Sequence, residues 1–188
     1  MKVILASTSP RRKELMQILG IPFTAVESGY QEDMRLKKEP KALVQFLSYK
    51  KAEAVAEKNS DALVIAADTI VFLGRQVLGK PHASVAASRM LRQISGRKIG
   101  IVTGLTVMHG KRHKNAAVTT TLNIKKLSPS EIRAYVATGE PLDKAGAFAI
   151  QGIGSVLIEK IQGDFFAAVG LPLFSLAKLL KEFGIVVL

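Results

Sequence analysis

The sequence predicts an α/β fold: a mixed, twisted sheet with flanking helices. Three observations predict it. Strand-like and helix-like segments interleave along 188 residues without a repeat or low-complexity tract. The run "ALVIAADTIVFLG" (62–74) is apolar on both faces, as a strand buried inside a sheet is. Two long strand-like runs, 99–108 and 116–126, are separated only by "HGKRHKN" and read as a hairpin, which breaks strict βαβ alternation and makes the sheet mixed rather than parallel.

The elements follow in order. "KVILA" (2–6) is a buried strand. Ser9 and Pro10 then make an N-cap with proline at the first helical position. Leu15, Ile18 and Leu19 form the apolar face of that helix, and Gly20 ends it. A second strand is expected over 23–27. A helix is expected over 40–58, with Leu43, Phe46, Leu47, Ala54 and Val55 at helical spacing. After the 62–74 strand, "GRQ" turns the chain into a short return strand at Val77-Leu78, and 83–94 is helical. "SPSE" (128–131) is a capping box that opens a helix to about Thr138. "KAGAFAIQGIG" (144–154) is a glycine-punctuated loop, 156–160 a strand, and 173–183 a closing helix with Leu176, Leu179 and Leu180 inward. No linker separates independent domains, so residues 1–188 are expected to form one domain.

Composition narrows the function. There is no cysteine, which excludes disulfides, thiolate catalysis and Cys-ligated metals. No stretch approaches the ~18 apolar residues of a membrane span, and a cytoplasmic protein is the expectation. A net charge of +12 favours a polyanionic partner, either nucleic acid or a phosphorylated small molecule, although a basic, well-solvated surface accounts for the same excess.

Two stretches carry chemistry. In "ASTSPRRKEL" (6–15), Ser7, Thr8 and Ser9 precede a helix whose first turn holds Arg11 and Arg12. Cations are unwelcome there because the helix dipole is positive at that end. Hydroxyls, free backbone N–H groups and planar guanidinium forks together suit a phosphate; an ordinary capped helix with solvated arginines uses the same residues. Asp68 is a carboxylate set between "ALVIAA" and "TIVFL". Such a group requires a partner, a metal, or a strand end opening to a ligand, and the carboxyl end of the strand is the expected place. Lys51, Lys80 and Lys144 lie in stiff or helical contexts, though each is equally a surface charge. Among the acids, Glu32, Asp33, Glu140, Asp143 and Asp164 are candidates to assist a magnesium ion or to form surface ion pairs. His109 and His113 flank the hairpin turn and read as solvated; His82 has no assigned role.

Taken in order, "ASTSPRRKEL", "KKAEAVA", "AADTIVF", "LGKP", "ISGR", "TGEPLDKAGAFAIQG" and "GDFFAAVGLPL" resemble the Maf family of nucleoside triphosphate pyrophosphatases, from Leu5 to Phe183. The resemblance implies an elongated Maf / ITPase-like fold, a single domain with two lobes around a deep cleft, commonly a homodimer. It implies hydrolysis of a nucleoside triphosphate to the monophosphate and pyrophosphate with a divalent cation, Mg2+ or Mn2+. It assigns phosphate contacts to Ser7, Ser9, Arg11, Arg12, Lys51 and Lys80. It assigns catalysis to Asp68, and metal binding to Asp68 with Glu32 nearby. Arg11, Thr69 and Gln151 match the branch resembling dTTP/UTP pyrophosphatases, so dTTP and UTP, with modified pyrimidine analogues, are the expected substrates. Gln31 stands where an acid is usual, and Phe165-Phe166-Ala167 replaces a Tyr-Tyr-Asn type of block. The alternative is a basic nucleic-acid-binding or regulatory protein without catalysis. It explains the charge but neither Asp68 nor the hydroxyl–arginine loop, and with aromatics at 6% no nucleic-acid signature is visible. Neither nucleic acid nor a membrane is expected as a partner.

Overall fold

A computed structural model describes residues 1–31 and 38–188. The strands are β1 (Val3–Ala6), β2 (Thr24–Val26), β3 (Leu63–Leu73), β4 (Gln76–Leu78), β5 (Lys98–His109), β6 (Arg112–Ile124) and β7 (Ile158–Gln162). The helices are α1 (Pro10–Ile18), α2 (Pro40–Ala56), α3 (Ser84–Ile94), α4 (Pro129–Ala137), α5 (Phe165–Val169) and α6 (Leu173–Glu182). The strands form one mixed sheet in the order β2-β1-β3-β5-β6-β7, with β4 paired to β3. β1 runs parallel to β2 and β3, whereas β3–β4 and β6–β7 are antiparallel. The expected α/β class and mixed sheet are therefore present. No described helix is long and apolar enough to cross a membrane.

The chain forms two compact units. The first comprises Met1–Thr69, Val102–Val118 and Phe166–Leu188; the second comprises Ile70–Ile101 and Thr119–Phe165.

In the first unit, α2 lies on one face of the sheet. Ala52, Val55 and Ala56 pack with Ile4, Ala6, Val64, Ala66 and Met108. Two contacts fix the roll of α2. At Gly104 of β5, an added Cβ would stand 2.2 Å from the Val44 carbonyl oxygen, so the helix backbone rests directly on the strand. One turn on, the Ser48 and Thr106 hydroxyls, both fully buried, are 3.0 Å apart and satisfy each other.

In the second unit, the capping box of α4 forms in full. The Ser128 hydroxyl accepts from the Glu131 N–H, and the Glu131 carboxylate accepts from the Ser128 N–H. The Phe72 ring of β3 covers Gly100 of β5, where any Cβ would meet the ring at 2.1 Å.

Two boundaries differ from expectation. The hairpin turn is not the seven-residue "HGKRHKN" but Gly110-Lys111, because β6 already starts at Arg112. Those polar residues stay exposed in the strand, and their side chains alternate between two sets of partners. Arg112 and Lys114 reach Glu182 of α6, while the His113 ring meets Tyr49 of α2 edge-on at 4.9 Å. The last strand begins at Ile158 rather than Val156, since 153–157 form a 3-10 turn.

Candidate active site

β3 pairs with β1 from Leu63 to Ile65 and with β4 from Val71 to Leu73. Asp68 falls in the interval between these ladders. It is thus not at a strand terminus, as the sequence suggested, but inside an eleven-residue strand. The strand runs on because Thr-Ile-Val-Phe-Leu is a strong β-forming run that acquires a second partner, β4. Side chains alternate along a strand. Val64 and Ala66 face α2, so Asp68 faces it too. Lys51 lies on the same helix face as Val44, Leu47 and Ser48 and arrives opposite: its Nζ donates to Asp68 Oδ1 at 2.5 Å. Both side chains are largely withdrawn from water, at 13% and 9% exposed. Burial of an isolated carboxylate is costly, and the ammonium offsets that cost.

Thr69, the next residue, points to the other face and meets the loop that leaves β1. Arg12 of α1 organises this side. Its Nη2 donates to Thr69 Oγ1 at 3.2 Å, its Nη1 to the buried Ser7 Oγ at 3.3 Å, and its Nε to the Gly170 carbonyl at 2.9 Å. At least three of its five N–H donors are therefore used within the chain. Thr69 Oγ1 also lies 2.8 Å from the Thr103 hydroxyl, which donates to the Ala167 carbonyl at 2.7 Å. Ser9 occupies the N-cap of α1, but its side chain makes no capping hydrogen bond; its backbone N–H donates to Ser7 Oγ instead. The Ser9 side chain therefore leaves the positive end of the α1 dipole uncompensated by a hydroxyl cap. The half-buried Arg11 side chain has no partner among the described residues.

The first unit thus holds two groupings on opposite faces of β3, Lys51 with Asp68 on one and Ser7, Ser9, Arg12 and Thr69 on the other, which meet in sequence at residues 68 and 69; Arg11 is on the same helix turn as Arg12. Lys80 and Gln151 belong to the second unit, where both are exposed. Glu32 and Asp33 lie outside the described residues. The remaining acidic candidates have local uses. Asp143 pairs with Lys144 at 2.5 Å, and that bond lowers its pKa below the usual carboxylate range. Glu140 accepts from Tyr135 and from two backbone amides. The Asp164 carbonyl accepts from Thr120. Among the described residues, no three His, Cys, Asp or Glu side chains gather as a metal site. The sequence did not single out Thr103, Gly104 or Gly170. A lone threonine or glycine in an apolar strand looks like ordinary β composition, and only the packed partner reveals its use.

The family model for Maf-like proteins matches residues 2–183. This chain belongs to the Maf family. It is 48% identical over 187 residues to a dTTP/UTP pyrophosphatase of Methanococcoides burtonii, covering 98% of this chain and 96% of that one. It is 44% identical over 184 residues to a dTTP/UTP pyrophosphatase of Bacillus velezensis, covering 98% and 97%. Among solved structures, a Ham1 protein of Staphylococcus aureus superposes with a TM-score of 0.49 at 13% identity, over 66% of this Maf chain and 72% of that protein.

Proposed function

We propose that this Maf protein hydrolyses nucleoside triphosphates, preferring dTTP and UTP, to the monophosphate and pyrophosphate. The observation that carries the reading is the junction at residues 68 and 69. There a buried Lys51–Asp68 ion pair and an arginine-organised hydroxyl loop attach to consecutive residues of one strand. The names of the Maf relatives support the same activity and the same pyrimidine substrates.

The roles follow from the chemistry of each group. The positive N-terminal end of α1, the Ser7 and Ser9 hydroxyls and the Arg11 guanidinium bind phosphate oxygens. Arg12 keeps Ser7 and Thr69 in place and adds its charge. Asp68 orients the attacking water and takes up its proton. Lys51 neutralises charge that builds on the departing pyrophosphate. Lys80 is assigned to the same leaving-group charge. Gln151 can donate to and accept from a pyrimidine edge, and Thr69 checks its fit together with Arg11. The hard carboxylate oxygens of Asp68 suit a magnesium or manganese ion, which takes one or two carboxylates plus substrate phosphates. Asp68 and Glu32 would hold it. When bound, such an ion neutralises phosphate charge and makes water more acidic. The family resemblance also supports a homodimer in the cytoplasm.

The test is a panel of pyrimidine and purine nucleoside triphosphates with magnesium or manganese, the products being separated by chromatography. Monophosphate plus pyrophosphate, fastest from dTTP and UTP, is the expected outcome. Diphosphate plus phosphate, or no turnover of any nucleotide, refutes the reading.

A further inference from the structure

Glu140 has no place in the chemistry above, yet it is among the most heavily bonded side chains of the second unit. Its carboxylate accepts from the Tyr135 hydroxyl at 2.7 Å, from the Gly154 N–H at 2.8 Å and from the Ile153 N–H at 3.0 Å. The Tyr135 oxygen in turn accepts from the Ala149 N–H at 3.1 Å. Two glycines admit this arrangement. At Gly152, with φ of +101°, an added Cβ would stand 2.1 Å from Glu140 Oε1; at Gly154 it would stand 2.4 Å from the Tyr135 hydroxyl. Residues 149, 153 and 154 are therefore tied by their backbones to two side chains from α4 and the turn after it. Gln151 projects, exposed, from the short segment between these ties.

We infer that Glu140, with Tyr135, is a positioning residue that holds the 149–154 loop in the one conformation presenting Gln151 to the nucleobase. The inference rests on the function proposed above, in which Gln151 reads a pyrimidine edge. Three converging neutral donors match the acceptor capacity of an ionised carboxylate and of no other side chain of that length. Burial, and then the Glu140 hydrogen bond, raise the Tyr135 pKa well above its ordinary value. The phenol therefore remains a donor throughout the neutral range. A loop fixed at both ends needs no further backbone ordering when its apex side chain binds.

Glu140→Gln is the direct test, because it places an NH2 group against N–H donors. The expected result is an about tenfold rise in KM for dTTP and UTP. The kcat stays within about twofold of the parent and discrimination against GTP falls. Hydrogen exchange should speed up at the Ile153 and Gly154 amides and not in β1 or α2. Tyr135→Phe should shift selectivity the same way and serves if Glu140→Gln does not fold. An active Glu140→Gln enzyme with parental UTP-to-GTP discrimination overturns the inference and leaves the pyrophosphatase reading standing. A parallel loss of kcat on every nucleotide, with parental loop exchange, overturns it too. A parent protein that releases pyrophosphate from no nucleotide overturns both.

Discussion

Asp68 is a buried carboxylate and Glu140 a half-buried one, and the molecule treats them in opposite ways. Glu140 is surrounded by three neutral, geometrically fixed donors, two of them backbone amides. Asp68 is met by the end of a lysine side chain. Amides cannot withdraw without unfolding the loop, whereas an ammonium on four methylenes can turn toward a new anion. A carboxylate gripped by backbone organises structure, while one held by a flexible charge remains exchangeable and suits chemistry. Their carboxylate chemistry is the same; the kind of donor that meets each one differs.

Substitution of each acid by its amide tests this contrast most strongly. Asp68→Asn should lower kcat by about 10³-fold, the scale of losing a central charged group in a closed site, with circular dichroism unchanged. Near-parental pyrophosphate release by that variant would erase the distinction from Glu140, whose amide variant is expected to keep kcat.

The next effect separates the lysine from the acid. Lys51→Met removes the charge but keeps much of the stem. It leaves a buried carboxylate without its ammonium and should cost about 3 kcal/mol in urea unfolding. Turnover should also fall, by about 10²-fold. A variant as stable as the parent would mean that water, not Lys51, compensates Asp68.

A third carboxylate sharpens the comparison at the small end. Glu131 is exposed, and its bonds to Lys125 and to the Ser128 backbone and hydroxyl lower its pKa from 4.5 to about 2. A depressed carboxylate stabilises the fold above its unfolded value, and the contribution disappears as pH falls through the folded one. The loss therefore spans the window from 4.5 down to about 2. Glu131→Gln should flatten the dependence of thermal stability on pH in that window and lower thermal stability at neutral pH, where the contribution is fully present. An unchanged acid slope would remove Glu131 from the account.

Much of this was legible in the sequence. The capping box at Ser128, Pro10 at a helix start and the long apolar run around Asp68 are local signals, and local signals survive without tertiary context. Boundaries failed where long-range partners decide. Arg112, His113 and Lys114 look like a loop until their partners Glu182 and Tyr49 are in view. Asp68 looks like a strand end until β4 extends the ladder. The hydroxyl–arginine loop announced itself by residue type. Its internal wiring did not, because Gly170 lies 158 positions from the Arg12 it receives. Glu140 was visible only as one acid among several, and its partners 5, 13 and 14 positions away gave no motif to read.

Gly104 has a consequence that reaches beyond packing. The gap between the Lys51 amine and the Asp68 carboxylate is set partly by an atom that is absent, since a methyl on that strand would push against the Val44 carbonyl and lift the helix that carries the lysine. A position remote from any phosphate thereby acts as a shim of zero thickness. Mutational drift there would loosen the reacting pair as surely as a change in either partner.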